Sequence, residues 1–359
     1  MPDSTLNIKK IVQFSLILLG GLFIFASCSK NPSPAAVQIN GIHPTHGPIA
    51  TMDTISGSGF GTIVTSDSAF FNGHRATIVS ITNTQLVVTV PRLAGTGPVS
   101  VWVNGHEETG PVFTYDTTYA ISTYAAGLAS PYGICIDTSN GNLFVADYGD
   151  NTVVKITKDG TVSHFASGID LPGGIAIDGV GNLYVTNYGN GTISKITQAG
   201  VVSTFVSSIP NPAGITIDAV GNLYVTNFGN GTISTITPGG TIVTIPTGIA
   251  YTTGIARDGS GNLYITNSAG NSVSKITPAG VVSTFATNVH APSDITIDDM
   301  GNLYTTDPVN NTITKITPAG TVKIIVTGLD EPNPITVDAD GNFFAGCAST
   351  NAISKVSPQ

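Results

Sequence analysis

The chain has 359 residues, a formal net charge of −9 and only 10% charged residues against 41% hydrophobic ones. With 42 glycines and 21 prolines, and with Thr, Ser and Asn doing much of the solvating, it reads as an exported β protein. Its 13 Lys and Arg form no stripe or patch, so nucleic acid is a poor partner.

Residues 1–28 read as an address. Lys9 and Lys10 supply positive charge, Ile11 to Ala26 is an apolar run short for a membrane span, and Phe25-Ala-Ser-Cys28 ends it. Small residues before a cysteine suit a secretory signal with a lipidation site, and the segment resembles a bacterial lipobox, with Phe25 where Leu is usual. Cys28 is then the acylated amino terminus, which places the protein in a bacterial cell envelope, anchored to a membrane outside the cytoplasm. An uncleaved anchor or an ordinary secretion signal is the alternative. Residues 29–36, rich in Ser and Pro, form a short tether.

Residues 37–115 carry short β-branched runs every 8–12 residues, punctuated by Gly and Pro: Val37-Gln-Ile-Asn-Gly-Ile-His-Pro44, Ile55-Ser-Gly-Ser-Gly-Phe-Gly61, Phe71-Asn-Gly73, Val87-Val-Thr-Val-Pro91 and Ala94-Gly-Thr-Gly-Pro98. They resemble an IPT/TIG domain, which implies an immunoglobulin-like β-sandwich and no chemistry. In Val99-Ser-Val-Trp-Val103 the valines take one face, so Trp102 points outward.

Residues 116–359 repeat one pattern six times. The Asp of Gly-Ile-x-Ile-Asp recurs at Asp137, Asp178, Asp218, Asp258, Asp298 and Asp338, spaced by 41, 40, 40, 40 and 40 residues. Four strand-like runs fill each period, the signature of a β-propeller. Between Asp178 and Asn182 the chain makes a tight hairpin, because Asp bonds backbone two residues on and Gly tolerates positive φ. The last copy stops after its third strand, at Ala352-Ile-Ser-Lys-Val356. Ala120-Ile-Ser-Thr-Tyr-Ala-Ala-Gly127 matches the missing fourth strand, so strand 119–126 closes a ring of six blades. The fold class expected is all-β: a six-bladed propeller behind a sandwich.

These copies resemble NHL repeats in their Gly-Ile-x-Ile-Asp strand, Gly-Asn-Leu-Tyr-Val hairpin and Asn-x-Thr-Ile-Ser-Lys-Ile strand. Lys155, Lys195, Lys275, Lys315 and Lys355 stand where that family usually has Arg. The resemblance implies a ligand face built from the blade-to-blade loops and the loops joining second to third strands. On that face Tyr148, Tyr188 and Phe228 are equivalent positions in three consecutive blades, an arc of rings able to stack on sugar or peptide. The competing reading has each ring cap its own blade. Tyr132, Tyr251, His290 and Asp294 complete the candidate ligand-binding set.

Other candidates carry less. A residue repeated in five blades, as in Asp147, Asn187, Asn227, Asn267 and Asp307, reads as a turn cap before a metal ligand. Asp294 breaks a glycine series, and with His290 on the same loop it suggests an acid/base pair, against a plain surface role. Arg257 breaks an Ile/Val series and is expected to reach water beside Asp258. Cys135 and Cys347 lie in neighbouring blades; free thiols are favoured over a bridge.

No catalytic residue, metal ligand or cofactor is assigned. The rival to a binding module for glycan, peptide or envelope protein is an enzyme resembling the propeller lyases and lactonases, which implies a metal in the channel. That chemistry needs several His or Glu, whereas the propeller has His164, His290 and Glu331. A structural scaffold is the third reading.

Overall fold

A computed structural model of the chain describes residues 36–359, apart from 48–49, 63–66, 92–93, 117 and 250. The signal segment, Cys28 and the tether up to residue 35 lie outside the described residues. No helix among the described residues is long and apolar enough to cross a membrane.

The first part is a sandwich of two sheets. One orders Gln38–His43, Met52–Ser58, Gln85–Thr89 and Thr77–Thr82; the other orders His46–Gly47, His106–Tyr115, Gly97–Val103, Ser68–Phe71 and His74–Arg75. Alternation sends Ile55, Leu86, Val88, Val99, Val101 and Phe113 inward, all fully covered, and Phe71 meets Phe113 edge to face at 5.0 Å. Trp102 lies on the outer face and is 42% exposed, as its register demands.

One inward residue is a carboxylate. Asp53 is fully covered, accepts a bond from the His43 N–H at 3.1 Å through Oδ1, and has no hydrogen-bond partner at Oδ2. Burial pushes its pKa from 3.8 up to about 6, against the pull of the backbone N–H bonds. The folded sandwich therefore binds this proton more tightly than the unfolded chain. The contribution of Asp53 to stability is most favourable below pH 4, falls as pH rises to about 6 and stays at its low value above it. Asp53→Asn keeps the acceptor for His43 and removes the charge. It is expected to stabilise the sandwich by about 2 kcal/mol at pH 7.5 and by little at pH 4. Urea unfolding at the two pH values measures the difference.

The second part consists of six four-stranded antiparallel sheets around an axis. Blade 2 shows the logic. Its strands are Pro172–Ile177, Leu183–Asn187, Thr192–Ile196 and Val202–Val206, running from axis to rim. The hairpin forms because Asp178 Oδ1 accepts from the N–H of Val180 and of Asn182, and Gly181 takes a φ of 85°. The second strand is buried along its whole length, because sheets cover both its faces. Leu183, Val185 and Ile196 pack against Phe144, Ala146 and Val153 of blade 1; Tyr184 and Ile193 pack against Leu223 and Val225 of blade 3. The apolar clusters thus sit between blades, and each blade is stable only beside its neighbours.

Ring closure follows the same rule. Strand Tyr119–Ala126 pairs antiparallel with Ala352–Pro358, from Tyr119 opposite Pro358 to Ala126 opposite Ala352. Blade 6 is therefore built from both ends of the repeat region. Its seam with blade 1 is filled by Ala125, Phe344 and Ile353 against Ile134, Leu143, Val145 and Ile156.

A second set of bonds joins consecutive blades near the axis. The Thr186 hydroxyl accepts from Gly174 N–H at 2.7 Å and donates to the Ala213 carbonyl of blade 3 at 2.6 Å. Thr226, Thr266 and Thr306 repeat the arrangement toward Thr253, Ser293 and Asn333. Thr186→Val keeps the shape and strands a buried N–H and a buried carbonyl. A loss of about 1–3 kcal/mol in urea unfolding is expected.

Candidate functional site

Every blade-to-blade loop holds a non-glycine residue at positive φ just before or at the start of the next blade: Ser130 at 73°, Leu171 at 47°, Asn211 at 43°, Tyr251 at 58°, Ala291 at 32° and Glu331 at 49°. In four blades an Asn side chain locks it, as where Asn151 Oδ1 accepts from Leu171 N–H at 2.7 Å and Asn271 Oδ1 from Ala291 N–H at 2.8 Å. The carbonyls of Ser130, Leu171 and Asn211 then accept from the N–H of Tyr148, Tyr188 and Phe228, at 3.1, 3.1 and 2.9 Å. One repeated scaffold thus sets the three rings on the same face.

Those rings do not serve the blade cores. That role belongs to second-strand aromatics set against fourth-strand ones, Phe144 on Phe165 at 4.9 Å and Tyr184 on Phe205 at 5.3 Å. Tyr148, Tyr188 and Phe228 are half-buried, and with Tyr132, Gly173 and Ala213 they line a cavity of about 220 Å³. Tyr132 stands 5.6 Å from Tyr148, Tyr188 stands 6.2 Å from Phe228, and Phe228 stands 5.5 Å from Tyr251. The Tyr132–Tyr148 contact lies within blade 1, whereas the Tyr188–Phe228 contact crosses from blade 2 to blade 3 and Tyr251 meets Phe228 from the loop leading into blade 4. Tyr251 is the exposed end of this cluster, 54% accessible.

The axial channel opens beside this cavity. Its volume is about 260 Å³, and Tyr132 lines both spaces. The innermost strands approach so closely that most blades need glycine: a Cβ on Gly214 would lie 2.1 Å from the Thr253 carbonyl oxygen, and one on Gly254 2.8 Å from Asp294 Cα. Blade 5 breaks the series with Asp294, where the first strand is only Ile295–Ile297. Asp294 is walled by protein but reachable along the channel. Its Oδ2 accepts from Ile335 N–H at 2.9 Å. Burial raises its pKa to about 6, against the pull of the N–H bonds from Ile335 and Ile295. The Tyr132 hydroxyl is bonded to the Asn333 side chain, and burial raises its pKa, with the Asp294 charge adding to the effect.

The structure separates His290 from Asp294. His290 Nδ1 instead meets Asp307 Oδ2 at 2.8 Å and Asn310 Nδ2 at 2.8 Å, with the His side chain 55% exposed and the Asp side chain 4%. The acid/base pair raised as the lesser reading of this loop does not form, and the surface role favoured for Asp294 is corrected: the chain turns between the two residues, and Asp294 lines the channel. The Asp/Asn series acts in turns and strand ends. Asp147 accepts from Ala129 N–H at 2.8 Å, and Asn187 Nδ2 donates to Thr192 and Ser194 hydroxyls at 2.7 and 2.8 Å. Arg257 lies over the Tyr224 ring at 5.9 Å rather than beside Asp258, whose oxygens are taken by Asn262 and Tyr264. Cys135 and Cys347 are free thiols.

A channel metal, which the lyase resemblance implies, finds no donor set. Among the described residues no three His, Cys, Asp or Glu side chains stand close enough to hold one. Asp294 shares the channel with neutral groups such as Thr253 and Asn333 and with Arg257.

The fold is all-β, a six-bladed propeller that follows an immunoglobulin-like sandwich in the chain. The chain belongs to the virginiamycin B lyase family, whose model matches residues 93–356, and residues 37–121 match the IPT/TIG domain. No curated protein matches it. Among solved structures it is similar to a protein of unknown function from Bacteroides thetaiotaomicron, at 19% identity and a TM-score of 0.67, over 92% of this chain and 99% of that one. An auxiliary nutrient binding protein from the same organism aligns at 16% identity and a TM-score of 0.58, over 90% and 98%. Virginiamycin B lyase from Staphylococcus aureus aligns at 17% identity and a TM-score of 0.55, over 67% of this chain and 99% of that one.

Proposed function

We propose that the protein is a lipid-anchored envelope binding protein whose propeller captures a glycan, peptide or small organic ligand on its loop face. The observation that carries this is the aromatic cavity of Tyr132, Tyr148, Tyr188 and Phe228, rings held on one face by a repeated backbone device and left out of the blade cores. Aromatic walls with a few convergent polar groups are what small-ligand sites require. The fold shared with an auxiliary nutrient binding protein over 90% of the chain supports the reading. Residues 1–28 form the lipoprotein signal, 29–36 the tether, 37–115 the sandwich and 116–359 the propeller. Full-length protein in detergent micelles, offered a panel of glycans, peptides and small amines, tests it; capture of no class by the loop face would refute it.

Anchoring at Cys28 has its own test. Cys28→Ala is expected to move the protein out of the membrane fraction, and loss of a lipid-modified amino-terminal peptide in mass spectrometry accompanies the shift. A variant that stays in the membrane fraction contradicts the anchor.

A second reading, elimination or hydrolysis on the same face, has one observation in its favour besides family membership. His290 is exposed and oriented by a buried carboxylate, which leaves its Nε2 toward solvent for proton transfer. Turnover that disappears in His290→Ala while capture persists would select it.

A further inference from the structure

The loop face is charged on one side only. The connecting segments 128–132, 147–151, 169–173, 187–191, 209–213, 227–231, 247–254, 267–271, 288–294, 307–311, 328–333 and 347–351 contain no Lys and no Arg. They do contain Asp147, Asp150, Asp170, Asp294, Asp307, Asp330 and Glu331. The one histidine among them, His290, has its Nδ1 engaged by Asp307.

The propeller's cations are placed elsewhere. Lys195, Lys275, Lys315 and Lys355 lie over second-strand or neighbouring rings at 5.3 to 5.9 Å, and Arg257 covers Tyr224 at 5.9 Å. Blades 2 to 6 thus use cation-on-ring contacts, while none is found among the described residues at the outer cluster of rings.

We propose that the ligand of the loop face is a small organic cation, an amine or guanidine, whose charged group lies against Tyr132, Tyr148, Tyr188 and Phe228 with Asp294 as its nearest deep counter-charge. The inference rests on the reading of this face as the ligand site and specifies its chemistry. Two independent features meet here. The cavity supplies electron-rich ring faces, which attract cations, tyrosine and tryptophan best among them. The surrounding carboxylates raise the local concentration of cations and repel anions. Tyr132 joins the two, because it lines the cavity and the channel and feels the Asp294 charge. Asp294 also sits where the other blades have Gly or, in blade 6, Pro334, so it supplies the asymmetry that a single site on a six-fold scaffold needs.

The test is calorimetric titration of full-length protein in neutral detergent with matched pairs: choline and its uncharged isostere in which carbon replaces nitrogen, benzylamine and benzyl alcohol, and an arginine peptide and its citrulline counterpart. The last pair separates a basic side chain on a peptide from a free amine. The cation of at least one pair is expected to bind about tenfold tighter than its neutral partner, and to weaken with added salt. Tyr188→Ala should weaken both members, whereas Asp294→Asn should weaken only the cation; circular dichroism melting confirms that each variant is folded. Equal binding of both members of every pair overturns the proposal. So does capture of neutral glycans with no cation bound, an outcome that leaves the loop face as a site and removes its charge assignment. Binding of no class at this face removes both readings.

Discussion

Ile353→Asp is expected to abolish the cooperative unfolding transition of the propeller. Ile353 is fully covered, pairs with Ala125 of the closing strand and fills the seam between the last blade and the first. A carboxylate there has apolar neighbours in Leu143, Val145, Ile156 and Phe344. Burying it unpaired costs several kcal/mol, comparable with the ~5–15 kcal/mol that holds a domain together. Protonation would lessen the penalty and leave an unsatisfied hydroxyl. Because every apolar cluster lies between blades, opening one seam exposes both faces of the gap and frees the edges of two sheets. Ser122→Asp, on the same closing strand but exposed and opposite Lys355, serves as the control and should melt like the parent. A calorimetric scan in which Ile353→Asp also melts like the parent contradicts a ring closed at this place.

The second large effect concerns binding. The combined variant Tyr148→Ala, Tyr188→Ala, Phe228→Ala is expected to lower affinity for any captured ligand roughly 100-fold or more, since central aromatic anchors commonly contribute about 2 kcal/mol each. The same variant should lose little stability. None of the three rings belongs to the clusters between blades, and each backbone N–H bond that places them survives truncation. The split between a large loss of affinity and a small change in melting temperature is the informative outcome. A large loss of stability with retained binding would return the rings to a structural role.

Much of the architecture could be read from the chain because it is written six times. A 40-residue period, a strand missing at one end and a matching strand at the other leave one way to close the ring, and Tyr119–Ala126 pairs with Ala352–Pro358. The hairpin chemistry was equally local: Asp178 and Gly181 act within four residues. The aromatic arc was visible because equivalence under the repeat places Tyr148, Tyr188 and Phe228 on one face. Features that depend on contacts distant in sequence were not visible. The partner of His290, which lies in a loop, is Asp307, 17 residues away at the end of a strand, so proximity in sequence pointed to the wrong carboxylate. Arg257 is expected from sequence to reach water beside Asp258; what the sequence does not show is that its guanidinium lies over the ring of Tyr224 in the adjacent blade, while the Asp258 carboxylate serves its own hairpin. Asp53 was not recognised as a buried carboxylate. Its alternation with Ile55 marks it as inward, yet an Asp in that slot looks in sequence like any strand-edge polar residue.

Hydrogen–deuterium exchange of full-length protein, with and without the tightest-binding member of the ligand panel, tests the central claim most directly. Protection is expected in segments 128–132, 147–151, 187–191 and 227–231, which carry the rings and their loops. The hairpins at 178–182, 218–222 and 298–302, at the opposite end of the blades, should exchange as before. Protection confined to those hairpins, or to the fourth strands at the rim, would contradict a ligand site on the aromatic loop face.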